Sequence, residues 1–221
     1  PTIKHQLKTK VYYTMTTLRS ILELNNIGVK HVCNGRPKKA KRTLKAAVLV
    51  LDSFHKNQLP ACLEGKSLNE NARAPISLIA CPIPESEEPT SCSHTLYMYR
   101  NALVAELDPS IDTLELSGQN VASLIALLAF NLAVVHHCGL DQSDDHTKTM
   151  ILYKKSWQAL AVDSKIFPGD EGFRNVIALG VMNNMGSLLY EIGKYDKALF
   201  CFKSLQNLVL QDMEPKVLEG I

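Results

Sequence analysis

Apolar residues recur at intervals of three and four over three stretches of the chain, roughly residues 18 to 56, 120 to 163 and 176 to 212, the spacing of helices with one buried face. The ends of these helices are legible. Asn34-Gly35 and Gly193 supply stops, while Phe167-Pro168-Gly169 breaks the chain ahead of Asp170-Glu171, whose negative charges suit the start of a helix running to Glu191. Glu214-Pro215 is expected to open a further helix. Residues 57 to 116 read differently. Pro60, Pro75, Pro82, Pro84, Pro89 and Pro109, six of the ten prolines, exclude a continuous helix there. Ile76 to Ile83 and Thr95 to Leu107 are rich in Ile, Leu, Val and Tyr, and the second partly alternates with period two, so the pair predicts a β-hairpin; the acidic PESEEPTSCS between them reads as a turn-forming connection.

The helical stretches share more than periodicity. ELNNIGVKHVCNGRPKKAKRTLKAA from Glu23, LAFNLAVVHHCGL from Leu128 and VMNNMGSLLYEIGKYDKALFCFKSL from Val181 each carry Asn, a large apolar residue and a small one: Asn26-Ile27-Gly28, Asn131-Leu132-Ala133 and Asn184-Met185-Gly186. The small residue permits close helix packing. In the third segment Gly193 ends one helix, Tyr195 opens the next, Ala198 sits where the helices cross and Phe202 fills the space between them. This pattern resembles a tetratricopeptide repeat. The first segment matches through Gly35, Ala40, Leu44 and Ala47, with Pro37 where the turn aromatic is usual, a place proline tolerates as a first helical residue. The second departs most: Gly139-Leu140 is followed by the polar run DQSDDHTK, and its second helix is expected over Thr147 to Asp163, with Tyr153 and Trp157 on the apolar face.

The resemblance implies a mainly α fold of antiparallel helix-turn-helix repeats in a right-handed superhelix. Successive repeats of about 34 residues follow each other directly, but Ile27 and Leu132 stand much further apart, so the hairpin region is an insertion after the first repeat. The organisation expected is one domain over 1–221: a first helical pair with an N-terminal extension (1–56), the insertion (57–116), and the second and third pairs (117–221).

Charge changes this picture at one end. The formal net charge is only +2, yet residues 1–60 hold 12 of the 24 Lys and Arg against Glu23 and Asp52 alone. Six of these cations, Arg36, Lys38, Lys39, Lys41, Arg42 and Lys45, fall within RPKKAKRTLK at the start of a predicted helix, where positive charge opposes the helix dipole. Helix stability does not explain them; an anionic partner such as nucleic acid, an acidic peptide or a membrane surface does, as does a nuclear import signal, against the plainer reading of a solvated face. Base-stacking aromatics are sparse there, with only Phe54 nearby. The longest apolar stretch, Val121 to Val135, is interrupted by Ser123 and Asn131 and is shorter than the roughly 20 residues of a membrane span. Cys33, Cys62, Cys81, Cys92, Cys138 and Cys201 form no C-x-x-C pair and read as reduced thiols of a cytoplasmic or nuclear protein, with Cys81 to Cys92 the one disulfide left open.

Signatures for phosphate cradling, dinucleotide binding, serine hydrolysis and zinc proteolysis are absent from the sequence. His136, His137 and Cys138, with Asp141, Asp144, Asp145 and His146, form the densest set of possible ligands. Adjacent histidines diverge by about 100° on a helix and are poorly placed to share one ion, so no metal or cofactor is assigned; one histidine is expected to pack and the other to cap or solvate the helix end. The resemblance places a concave groove on the first helix of each repeat, with Asn25, Val29, Val32, Phe130, Val134, His137, Asn183, Ser187 and Tyr190 as candidate lining, several of which alternatively pack against the insertion. These are mostly uncharged, unlike the Lys and Asn clamp with which some tetratricopeptide domains grip the acidic tail of heat-shock chaperones. The sequence therefore points to a noncatalytic protein or peptide scaffold. The alternatives are a nucleic-acid or other polyanion binder acting through the basic N-terminal third, and an enzyme site near His94, Tyr97 and Tyr99.

Overall fold

The computed structural model of the chain describes residues 3–58, 76–83, 99, 101–107, 118–138, 146–161 and 171–218. Six helices and two strands follow one another as α1 (Ile3–Cys33), α2 (Pro37–Gln58), β1 (Ile76–Pro82), β2 (Asn101–Leu107), α3 (Gly118–His137), α4 (His146–Ala161), α5 (Glu171–Glu191) and α6 (Tyr195–Leu218). The fold is mainly helical with one small antiparallel sheet. The helices associate as three pairs, α1 with α2, α3 with α4 and α5 with α6, and the pairs meet in sequence order through α2 against α3 and α4 against α5.

The first and third pairs close by the same device. Gly35 and Gly193 take positive φ, 63° and 74°, which an L side chain rarely adopts. Gly35 N–H donates to Val32 O and Arg36 N–H to His31 O; Gly193 N–H donates to Tyr190 O and Lys194 N–H to Leu189 O, so both turns are Schellman caps. Pro37 opens α2, where its missing N–H has no intrahelical partner to lose. The expected close approach is present. A Cβ on Gly28 would stand 2.7 Å from Leu44 Cγ, and one on Gly186 would stand 2.6 Å from Phe202 Cε1. Ala40, Leu44, Ala47 and Ala198 are buried at the crossings.

The second pair is held differently. Ser156 Oγ donates to Ala126 O at 2.8 Å, tying α4 to α3, and Arg174 of α5 donates to Leu160 O near the end of α4. Tyr153 is wholly buried with its ring tilted against Phe130, while Trp157 is half-buried at the core margin.

Ile76 to Pro82 pairs antiparallel with Leu107 to Asn101, so the hairpin expected from residues 76–83 and 95–107 is present over its described part. Among the described residues its strands touch α1, α3 and α5, and neither α2, α4 nor α6. It lies across the face built by the first helix of each pair. Ile76, Ile83, Ala102, Leu103 and Ala105 are buried there within the same core as Leu18, Val29, Phe130, Val134 and Ile177. One expectation needs correction: α6 continues to Leu218, so Pro215 falls in its last turns and opens no new helix. So near a helix end, proline disturbs few bonds and does not stop the helix. No helix is long and apolar enough to cross a membrane among the described residues.

Candidate functional site

The repeated Asn of the three segments is the residue that holds the hairpin. On α1, Asn26 Nδ2 donates to Ala105 O at 2.8 Å while its Oδ1 accepts Ala105 N–H at 3.0 Å. On α3, Asn131 does the same to Leu103, both contacts at 2.8 Å. On α5, Asn184 accepts Tyr99 N–H at 2.6 Å and donates to Tyr99 O at 3.2 Å. Three carboxamides thus hold the main-chain groups of Tyr99, Leu103 and Ala105, in order from the third pair to the first. In a strand the N–H and C=O of a given residue leave by the same edge, and alternate residues use the other edge. Leu103 and Ala105 therefore turn these groups toward the helices, and Ala102 and Val104 turn theirs toward Cys81 and Ile79 of β1.

A carboxamide on an apolar helix face is costly to bury unless its donor and acceptor are both engaged, and the strand's peptide groups engage both. Neighbouring asparagines reinforce the first and third clamps. Asn25 Nδ2 donates to Asn26 Oδ1 and to Leu103 O, and Asn25 Oδ1 accepts from Asn131, which links the first pair to the second. Asn183 Nδ2 donates to Asn184 Oδ1 in the same way. In the second pair Phe130 takes the equivalent place and packs on Tyr153 and beneath Gly180, where a Cβ would come within 2.9 Å of its ring.

The residues expected to line a groove are thereby placed. Asn25, Val29, Val32, Phe130, Val134, His137 and Ser187 are buried, Asn183 is half-buried, and only Tyr190 is exposed, at 49%. The hairpin covers this face. The residues that do the holding, Asn26, Asn131 and Asn184, lie outside the set expected to line a groove; the signal that marks them is a carboxamide recurring at one position of an otherwise apolar face.

His137 is the packing histidine. Its Nδ1 lies 3.1 Å from Tyr153 Oη with the rings edge to face, and its Nε2 lies 3.4 Å from Glu191 Oε2. His137 Nε2 and Glu191 Oε1 are buried without a hydrogen-bond partner. Burial, with smaller contributions from Cys138 and Glu191, pushes the Tyr153 phenol well above 10, although the hydrogen bond from Asn184 works the other way. Among the described residues no three His, Cys, Asp or Glu gather as a metal site; Asp141, Asp144 and Asp145 lie outside them. Tyr99 is placed, whereas His94 and Tyr97 also lie outside the described residues. Cys33, Cys81 and Cys201 are free thiols, and Cys92 lies outside the described residues.

The basic run occupies the first turns of α2. Arg36, Lys38, Lys39, Arg42 and Lys45 are exposed and Lys41 is half-buried. Lys41 and Lys45 also border a cavity of about 250 Å³ between α2, α3 and α4, which they share with His136, Lys148, Leu132, Ile151 and Leu152. Lys56 forms an ion pair with Asp52 at the far end of α2. A second exposed region lies on α6, where Tyr195, Leu199, Phe200, Val209 and Leu210 leave large apolar side chains open. Comparison with family models, with curated proteins and with solved structures finds no match for this chain.

Proposed function

We propose that the chain is a noncatalytic protein-interaction scaffold of the tetratricopeptide type, its three helical pairs forming a right-handed superhelix whose concave face carries the β1–β2 hairpin. The observation that supports this reading is the asparagine ladder. Three equivalent carboxamides, one from each pair, hold an extended segment by its peptide groups, which is how an extended chain is gripped without regard to its side chains. The hairpin occupies that face, so partner capture falls to the outer surfaces, namely the cationic start of α2 and the apolar positions of α6. The test is a pull-down from native extract at two salt concentrations, with wild type, an Arg36 to Lys45 neutralised chain and a Leu199→Glu/Phe200→Glu chain in parallel. Retention of a defined protein that one of these surface changes abolishes is the expected result. Retention of nothing above the bead control by wild type sinks the reading.

A second reading has its own observation. Five exposed cations gather around the start of α2, two of them, Lys38 and Lys39, in the first turn where the helix dipole disfavours them, which suits a nucleic acid or another polyanion. Filter binding that rises as salt is lowered and vanishes on neutralisation supports it; salt-independent retention, or none, removes it.

A further inference from the structure

Both edges of β2 are in use. Its inner edge is taken by the carboxamides of Asn26 and Asn131, and its outer edge pairs with β1. The far edge of β1 is left over. Ile79 and Cys81 turn their peptide groups toward Val104 and Ala102 of β2, so Leu78 and Ala80 turn theirs the opposite way. Among the described residues no main-chain bond reaches β1 from outside the hairpin. Edge strands are ordinarily protected by charge, by an interior proline or by a bulge. β1 has none of these: ISLIAC is uncharged, Pro82 stands at its end, and the register with β2 is unbroken from Ile76 to Pro82. Ser77 and Ala80 are exposed, and so is Ile79, at 44%, in the middle of the strand.

We infer that β1 is a self-pairing edge: two copies of the chain join antiparallel, β1 to β1, about a two-fold axis at Ile79, and the two hairpins become one four-stranded sheet. Full overlap of the strand Ile76–Pro82 with its own antiparallel copy centres on Ile79. In that register Leu78 and Ala80 of one copy exchange N–H···O=C bonds with Ala80 and Leu78 of the other, which uses the peptide groups left over. Ile79 meets Ile79 at a non-hydrogen-bonded position, where cross-strand side chains come closest, and each covers the other's exposed surface. Other registers do less. A slip by one residue sets these groups opposite ones already bonded to β2. A slip by two either brings Leu78 opposite Pro82, which has no N–H to give, or leaves Ile79 opposite Ser77. A second copy answers both demands at once, with peptide groups in matching register and an equal apolar side chain for Ile79. The carboxamide grip and the second copy use opposite edges of the sheet, and an isologous pairing of this kind closes at two chains.

The experiment uses the full chain with its thiols kept reduced. Sedimentation velocity over about 1–200 µM is expected to show a monomer–dimer equilibrium, since one strand pair is a small interface beside the roughly 1,200 Å² of a stable complex. Ile79→Lys changes an exposed side chain, sets two like charges directly opposite each other, and is expected to raise the dimer dissociation constant about tenfold. Ile79→Cys reads the register. Non-hydrogen-bonded partners stand about 4.5 Å apart between Cα atoms, within disulfide range. Under oxidised glutathione this variant is expected to form a covalent dimer joined at position 79, whereas wild type, with Cys81 opposite Ser77, forms none through the strand. A wild type that stays monomeric throughout, a dimer that Ile79→Lys leaves intact, or an Ile79→Cys chain that does not cross-link each overturns the proposal. A dimer kept in Ile79→Lys and lost in Leu199→Glu/Phe200→Glu assigns association to α6 instead. If Ile79→Lys does not fold, wild-type sedimentation and the cross-link decide.

Discussion

Gly28 under Leu44 and Gly186 under Phe202 solve one packing problem in the first and third helical pairs, and the turns after them end in the same Schellman geometry. The second pair departs at each equivalent point. Ala133 already carries a Cβ, Phe130 replaces the second asparagine, and Tyr153 and Ser156 tie α4 to its neighbours through polar contacts. What does not change is the clamp: Asn131 holds Leu103 as Asn26 holds Ala105 and Asn184 holds Tyr99. Closing a helical pair and holding the strand are thus separate tasks in this chain, and the second pair alters the first task while keeping the other.

The largest expected effect tests whether the clamp depends on depth of burial. Asn131 is fully buried and makes three hydrogen bonds, to Leu103 N–H, to Leu103 O and to Asn25. Asn131→Leu leaves the Leu103 N–H and the Asn25 carboxamide oxygen without partners, at a cost of about 3–5 kcal/mol. Asn26→Leu frees peptide groups nearer the surface, where water replaces the lost bonds, and costs about 1–2 kcal/mol. Urea unfolding midpoints at unchanged slope give both values. Equal losses at the two positions would show that burial does not set the strength of the clamp.

Packing comes next. Gly186→Ala drives a methyl into the Phe202 ring and costs about 2–3 kcal/mol, whereas Ala133→Gly loses only helix propensity and a small contact, about 1 kcal/mol. The comparison sharpens in a double-mutant cycle. Because the clash needs the ring, Gly186→Ala/Phe202→Ala is expected to be no less stable than Phe202→Ala alone. An additive cycle would break the equivalence drawn between Gly186 and Gly28.

These two tests also mark what the sequence discloses. The helices, the glycine stops, the contacts of Gly28 and Gly186 with their partner helices, and the hairpin in the proline-rich stretch all follow from local chemistry, because each depends on neighbours within one or two elements. Pro37 and Gly35 announce their own backbone geometry. The covering of the face built by the first helices does not follow locally. Asn26 and Ala105 are far apart in sequence, and no residue in either segment announces the other, so Asn25, Val29 and Val134 read equally well as groove lining and as core. Burial of Asn131 in an apolar stretch was the available clue, since such a carboxamide needs partners. The extension of α6 through Pro215 was hidden for the opposite reason, because a strong local signal is outweighed near a helix end.

Alkaline pH separates the second pair from the others without a substitution. The Tyr153 phenol lies well above its usual value in the folded chain, chiefly through burial, and returns to about 10 on unfolding. The folded state therefore keeps a proton that the unfolded state releases. The stabilisation is complete below about pH 10 and is lost as pH rises toward the folded value. Cys33 and Cys201, also pushed up chiefly by burial, act in the same direction from about pH 8.5. Stability measured by urea at rising pH is expected to fall in two stages, with the later one weakened in Tyr153→Phe. A stability that rises over that range contradicts the assignment of Tyr153 as a buried neutral phenol.

The smallest expected effect has the opposite sign and bears on the contrast between the covered face and the cationic one. Lys38 and Lys39 lie in the first turn of α2, against the positive end of its dipole, while Arg42 and Lys45 lie beyond it. Lys38→Gln/Lys39→Gln is expected to raise stability by roughly 0.5–1 kcal/mol, and Arg42→Gln/Lys45→Gln to leave it nearly unchanged, both read from thermal midpoints at low salt. The gain should shrink as salt is added, because these charges are exposed and screened. Removing asparagines from the covered face is expected to weaken the fold, most of all at Asn131, because the fold rests on them. Cations whose removal strengthens the fold are kept for something outside it, and a loss of stability on neutralising Lys38 and Lys39 would instead assign them to the fold itself.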